Sequence, residues 1–338
     1  MRIAVIGAGS WGTAISRLLA KNGHDVSVWA KEPEVADGIN KDHRNPLYLP
    51  DIDLPDYIRA TDDIEKSMKD AQVIVFVVVS HAMREVARRA KDFIDGDMVF
   101  VSLTKGVETE SMMRMSEVIK DELGENIIPR LSVLSGPNHA EEVSREMPSA
   151  TVIAAVNAST RKMLQDVFMT PYFRVYTNPD IVGVEFSGAA KNIVAIAAGM
   201  SDGLGFGDNS KASLMTRGLA EITRLGVNMG SNPLTFSGLA GVGDLVVTCF
   251  SRLSRNRYVG EEVAKGHPIK DVTDRMKMVA EGIHTTKAIY SISKKQSINM
   301  PITELVYQVL YEGKSAGDCV QELMMRAATD EAKEGYLS

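Results

Sequence analysis

Cysteine is almost absent from this chain of 338 residues: Cys249 and Cys319 are the only two, widely separated and outside any metal-ligand spacing. That excludes a disulfide framework and gives no zinc pattern. Six histidines show no metal-ligand spacing either, so no metal is expected. A long apolar run is also missing. The opening MRIAVIG is too short for a signal peptide, and no uncharged stretch approaches the roughly 18 residues of a membrane span. Nor is there an excess of positive charge. A net charge of −6 argues against a protein that neutralises nucleic-acid phosphates over its whole surface. These absences lead to the expectation of a cytoplasmic protein with neither membrane nor nucleic acid as partner, in which any anion site is local.

What is present is an alternation of strand and helix. RIAVIGAGSWGTAISRLLAKNGHDVSVWAK reads strand, glycine turn, helix, strand. AQVIVFVVVS (71–80) is β-branched without polar alternation, as a parallel strand covered on both faces requires, and belongs mid-sheet. A helix AMREVARRAKDFI, a strand MVFVSLT, a helix TESMMRMSEVIKDEL and a strand LSVLSGP continue the pattern of a doubly wound α/β sheet, with ATVIAAV and FRVYTN near its edge. After Asn178 the chain reads as helix and short loop. Because single cores stop growing at roughly 250–300 residues, the expectation is two domains: a doubly wound α/β domain over 1–179 and an all-helical domain over 180–327, with a loose tail over 328–338. No fixed-period repeat is present.

The glycines Gly7, Gly9 and Gly12 stand in GAGSWG between a strand and a helix. In that frame the first permits the tight turn, the second lets a pyrophosphate approach the backbone, and the third brings helix close to strand. Phosphate at the helix N-terminus is stabilised by free amides and the helix dipole. The second strand ends SVWAKEPE, so Lys31 falls where an NAD-binding fold places an acid, with Glu32 next. A base there suits the extra phosphate of NADPH, giving an expectation of NADPH in preference to NADH. The other reading of Lys31 is a solvated loop charge.

The stretch EFSGAAKNIVAIAAGMSD carries Lys191 amid small and apolar residues. An ammonium there must reach water, find a partner or change its pKa. The small neighbours Gly188, Ala189, Ala190, Ala195 and Ala198 let another group come close, and Ser187 lies one turn earlier. A partly buried lysine with a lowered pKa suits general acid–base work, whereas a snorkelling lysine needs no role. Further on, GLAGVGDLVVTCFSRLSRNRY places Asp244 after three glycines, and Ser254, Arg255 and Asn256 at a helix start. Hydroxyl, guanidinium, amide and free backbone N–H groups together suit a phosphate. The plain alternative is a serine N-cap followed by solvated arginines.

Taken in order, IAVIGAGSWGTA, SLTKGVE, LSGPNHAEEV, GVEFSGAAKNIVAIAAGMSDGLGFGDNSKA, TRGLAEITRLG, GLAGVGDLVVTCFSRLSRNR, VAEGIHTTKA and MPITELVYQVLYEG resemble the bacterial NAD(P)-dependent glycerol-3-phosphate dehydrogenases over almost the whole chain. The resemblance implies a Rossmann domain, a helical domain, and a site between them that interconverts dihydroxyacetone phosphate and sn-glycerol 3-phosphate. It implies Lys191 as proton donor and acceptor. Lys105, Gly136, Asn138, Asp244, Ser254, Arg255 and Asn256 would meet substrate, Asn138 standing where the family often has serine. Ser10, Trp11, Lys31, Lys105, Ala140, Arg255, Val279 and Glu281 would meet cofactor. The family further implies a role in phospholipid synthesis and possible pairing into a homodimer. Two rival readings stay open on the residues: a dehydrogenase of another hydroxy acid or sugar acid, and a nicotinamide-binding redox sensor without turnover.

Overall fold

The computed structural model describes residues 1–276, 278–328, 330 and 331; most of the tail expected from residue 328 lies outside the described residues. Two compact units divide the chain, residues 1–104 with 115–181, and 105–114 with 182–338. A contiguous division near residue 180 does not anticipate the excursion at 105–114.

The first unit runs β1 (Arg2–Ile6), α1 (Ser10–Lys21), β2 (Asp25–Trp29), α2 (Pro33–Asp42), β3 (Arg59–Thr61), α3 (Ile64–Met68), β4 (Val73–Phe76), α4 (Met83–Ala90), β5 (Val99–Ser102), α5 (Met115–Leu123), β6 (Leu131–Ser135), α6 (Ala140–Ser144), β7 (Ser149–Ala155), α7 (Ala158–Phe168) and β8 (Phe173–Asn178). Its sheet has the order β3-β2-β1-β4-β5-β6-β7-β8, parallel except where β6 meets β7. The first six strands thus follow the doubly wound 3-2-1-4-5-6 order, whose direction reverses between β1 and β4. β4 is fully buried between β1 and β5, as its unbroken apolar pattern requires. The glycine loop leaves the carboxyl end of β1, at the switch point where such sheets bind ligands.

The second unit holds α8 (Ile181–Gly203), α9 (Asp208–Asn228), α10 (Asp244–Phe250), α11 (Arg255–Ala264), α12 (Ile269–Asp274), α13 (Glu281–Lys295), α14 (Pro301–Tyr311) and α15 (Ala316–Met324). By length and composition α8 passes for a membrane span, but 89% of its most apolar window is buried inside the protein. A helix apolar on every side is a core helix, and here every residue from Gly183 to Ser201 is buried. α14 is capped from another element: the Glu221 carboxylate on α9 accepts from the amides of Ile302 (2.7 Å) and Thr303 (3.2 Å). Burial pushes that carboxyl up to about 7, against the pull of these amides.

The segment 105–114 closes on itself. The Glu108 N–H donates to the Met113 carbonyl, the Met112 N–H to the Glu108 carbonyl, and Ser111 donates to the Glu108 carboxylate. Met112 has φ +61, so the helix expected from residue 109 begins only at Met115. Val107 joins the second unit's core, and Arg114 pairs with Glu185 at 2.6 Å.

Candidate active site

The loop Gly7–Gly12 has the form a pyrophosphate needs. Gly7 has φ +122, and a Cβ there would lie 2.9 Å from the Val77 carbonyl oxygen. A Cβ on Gly12 would stand 1.9 Å from the Gly7 oxygen, so α1 can press on the loop only with glycine there. Around Gly9, by contrast, a Cβ would meet nothing within 4 Å among the described residues, and none of their side chains caps α1. The loop is therefore tight where it packs and open where a phosphate would sit, which fits a dinucleotide. Ser10 is buried in the first turn of α1, and Trp11, half-buried, packs on the first unit's core.

Lys31 is exposed just beyond β2. The carboxylate of its neighbour Glu32 accepts from the Tyr48 hydroxyl at 3.3 Å. Gly136 has φ +150 at the end of β6, with the space for its Cβ limited by Thr151 at 3.0 Å. Asn138 donates to the Thr151 hydroxyl at 2.9 Å, while its side-chain oxygen is buried with no partner among the described residues. Ala140 is the buried first residue of α6.

In the second unit Lys191 is buried, and its ammonium donates to Asp244 Oδ1 (2.5 Å) and Thr248 Oγ1 (2.6 Å). Lys105 Nζ reaches the other oxygen, Asp244 Oδ2, at 2.7 Å. One carboxylate, itself buried, therefore joins two ammonium groups. Burial pushes Lys191 down from the ordinary lysine range to about 8; Asp244 opposes the shift and Lys105 adds to it. Two of its three protons go to these partners, which leaves one for a substrate oxygen. Asp244 opens α10 directly after a π-helical turn, Leu239–Gly243, a distortion common at functional sites. The glycines of GLAGVGD permit that turn: a Cβ on Gly241 would lie 1.9 Å from the Phe236 oxygen.

Ser254 is the N-cap of α11, accepting from the Arg257 amide at 3.2 Å, so the plain reading of this serine describes its oxygen. Its hydroxyl proton is not used in that bond. The Arg255 guanidinium donates to the Val279 carbonyl at 2.9 Å. Asn256 donates to Asn192 Oδ1 and accepts from the Gly282 amide, both at 2.9 Å, tying α11 to α8 and to the start of α13. Val279 and Glu281, at and just before that start, are thereby drawn to Arg255 and Asn256. The candidates thus fall into a dinucleotide group on the first unit and a lysine–carboxylate group with an adjoining helix start on the second.

Sequence reasoning passed over Thr248, which accepts from Lys191 and donates to the Asp244 carbonyl at 2.6 Å. Its i+4 spacing from Asp244 was the available signal. Ser187 is buried one turn before Lys191 without a partner among the described residues. Cys249, next to Thr248, has its thiol pushed up to about 12 by burial and stays neutral. A cavity of about 720 Å³ opens elsewhere in the second unit, between α9, α14 and α15. It includes none of the predicted residues, and the three arginines on its wall, Arg217, Arg224 and Arg326, are each engaged by partners.

A dinucleotide loop on a doubly wound sheet, with a helical unit carrying a buried lysine of lowered pKa, defines a nicotinamide-dependent oxidoreductase. The chain belongs to the NAD-dependent glycerol-3-phosphate dehydrogenase family, whose N-terminal and C-terminal sequence models match residues 2–161 and 180–321. A glycerol-3-phosphate dehydrogenase [NAD(P)+] of Pelotomaculum thermopropionicum is 51% identical over 337 residues, covering 100% of this chain and 97% of that protein. The enzyme of the same name from Bacillus subtilis is 48% identical, over 98% of this chain and 96% of its own length. The crystal structure of glycerol-3-phosphate dehydrogenase from Coxiella burnetii superposes with a TM-score of 0.92 at 38% identity, covering 96% of this chain and 99% of that one.

Proposed function

We propose that this protein interconverts dihydroxyacetone phosphate and sn-glycerol 3-phosphate with NADPH in preference to NADH. The observation that carries the reading is the buried Lys191–Asp244 pair with one lysine proton left over. When bound, the reduced nicotinamide supplies a hydride. Protonated Lys191 stabilises the negative charge that grows on the ketone oxygen and gives it the remaining proton. In the reverse direction neutral Lys191 takes the alcohol proton, and a pKa near 8 makes both forms accessible. Asp244 and Thr248 fix the direction of the ammonium, and Lys105 lies where a second cation can meet substrate.

Ser254, Arg255 and Asn256 serve the phosphate, whose binding energy holds the carbonyl for reaction. Gly136 and Asn138 are assigned to substrate and Ala140, Val279 and Glu281 to cofactor, with Gly7, Gly9, Ser10, Trp11 and Gly12 holding the pyrophosphate end. NADPH preference draws support from exposed Lys31 and from Glu32, whose carboxylate is occupied by Tyr48. The reading extends to a cytoplasmic homodimer that supplies glycerol 3-phosphate for phospholipid synthesis. The test is loss of NADPH absorbance on adding dihydroxyacetone phosphate, with Lys191→Ala as control. The variant is expected to bind NADPH and to lose about 10²–10⁴ in turnover, the usual worth of a general acid. Near-normal turnover in that variant, or no substrate-dependent loss in the wild type, would end the reading.

A further inference from the structure

Asn45, outside every motif considered so far, is fully buried beneath the glycine loop. Its amide nitrogen donates to the Ala8 carbonyl and to Thr13 Oγ1, both at 2.7 Å. Its oxygen accepts from the amides of Leu47 (3.2 Å) and Tyr48 (3.0 Å). The orientation is forced, because Ala8 offers only an acceptor and Leu47 and Tyr48 only donors. Both protons and both lone pairs are thus used, and flipping the amide would break the Ala8, Leu47 and Tyr48 bonds.

The partners are informative. Ala8 lies between Gly7 and Gly9, and Thr13, whose amide donates to the Gly9 carbonyl, closes the first turn of α1. The glycine loop has few other polar ties: the Gly7 N–H donates to the Trp29 carbonyl at 3.0 Å and the Thr13 hydroxyl donates to the Ala8 carbonyl at a long 3.4 Å, while among the described residues Gly9 is flanked by open space and α1 has no side-chain cap. On its other side Asn45 fixes Tyr48, whose hydroxyl reaches Glu32, the N-cap of α2 just beyond β2. One amide therefore links the pyrophosphate end of a dinucleotide site to its ribose end.

We infer that Asn45 is a positioning residue for the cofactor: it holds the Ala8 carbonyl and the first turn of α1 so that the loop's amides are preset for a pyrophosphate. The inference rests on the cofactor reading above. A loop ordered before binding loses less freedom on binding, so releasing it should weaken affinity without touching the chemistry.

Asn45→Asp is the discriminating variant. It keeps the acceptor for Leu47 and Tyr48 but turns a carboxylate oxygen toward the Ala8 carbonyl. The measurements are the NADPH dissociation constant of the full chain by fluorescence titration, the KM for dihydroxyacetone phosphate at saturating NADPH, and the cofactor-free thermal midpoint. NADPH binding is expected to weaken by about tenfold or more, the loss expected when a preset site is released, with KM unchanged. Affinity should partly return as pH falls and the introduced carboxyl regains a proton to donate, a recovery the wild type lacks. A merely structural role would lower the midpoint and leave the affinity of the folded protein unmoved. Thr13→Val keeps the shape but removes the hydroxyl that accepts from Asn45 and donates to the Ala8 carbonyl at 3.4 Å, and is expected to weaken NADPH binding by about threefold. It decides the matter if Asn45→Asp does not fold. Wild-type affinity in the folded variant overturns the inference alone; wild-type protein that binds no NADPH overturns the cofactor reading and the inference with it.

Discussion

A buried ammonium costs stability unless it has partners, and Lys191 has them on one side only: Asp244 and Thr248 take two protons while burial and Lys105 press toward the neutral amine. In the role proposed for it, a pKa lowered to about 8 is expected to set the pH dependence. Reduction needs the protonated form, so kcat/KM for dihydroxyacetone phosphate should be flat below pH 8 and fall above it, while oxidation of glycerol 3-phosphate rises through the same range. Two variants should move that midpoint in opposite directions. Lys105→Ala removes the like charge that lowers Lys191, shifting the fall in reduction to higher pH. Asp244→Asn removes the opposite charge that raises it, shifting the fall to lower pH. Profiles whose midpoints coincide with the wild type, at whatever residual rate, would show that Lys191 is not the titrating group. Lys191 and Asp244 were legible in the sequence because a charge in an apolar, small-residue context has few explanations. Thr248 was not, because a threonine inside DLVVTCF reads as ordinary helix, and only the fold makes it face the lysine.

At the scale of elements, the residues proposed for the phosphate, Ser254, Arg255 and Asn256, stand at the start of α11, and α11 is set by glycines. A Cβ on Gly260 would lie 1.9 Å from the Ile196 oxygen, and one on Gly199 the same distance from the Arg257 oxygen. The backbones of α8 and α11 are therefore in contact, which brings Asn256 to Asn192 at 2.9 Å. Gly260→Ala must push the helices apart. The expected cost is about 1–3 kcal/mol or more of overpacking, seen as a lower thermal midpoint, together with a raised KM for the phosphorylated substrate. Gly317→Ala is the matched control, because among the described residues its Cβ would meet only Ser315 Oγ at an ordinary 3.9 Å; there the change should be neutral or stabilising by about 0.4–1 kcal/mol. Equal behaviour of the two variants would refute the crossing argument. The long strands and helices could be read from periodicity because each buries one face or all of its faces. The three-residue β3 gives no such pattern, and neither the α8–α11 contact nor Asn45's reach to Ala8 is encoded in any local repeat. Glycines in an apolar helix announce a close approach without naming the partner.

For the molecule as a whole, the path of the chain matters more than the boundary near residue 181. The segment 105–114 leaves the sheet after β5, lends Val107 to the second unit's core, gives Arg114 to Glu185 and Lys105 to Asp244, and returns as α5. The second unit is therefore not the product of its contiguous sequence. A fragment beginning at residue 182 would lack Val107, worth about 1.5–3 kcal/mol when fully buried, and would lose one ion-pair partner of a carboxylate whose side chain is only 6% exposed. Removing one member of a buried pair costs up to about 3–5 kcal/mol, so the two losses together are a large share of the roughly 5–15 kcal/mol that a typical domain has. Fragment 182–338 should accordingly melt early and without a sharp transition by circular dichroism, whereas the full chain should not. Glu185→Gln offers the internal check. In the full chain it breaks a 2.6 Å ion pair and should lower the midpoint, whereas in the fragment Arg114 is already gone and the same change should lower it by less or not at all. A fragment that melts as cooperatively as the intact protein, or a Glu185→Gln effect of the same size in both, would mean that residues 105–114 only visit the second unit and do not help to build it.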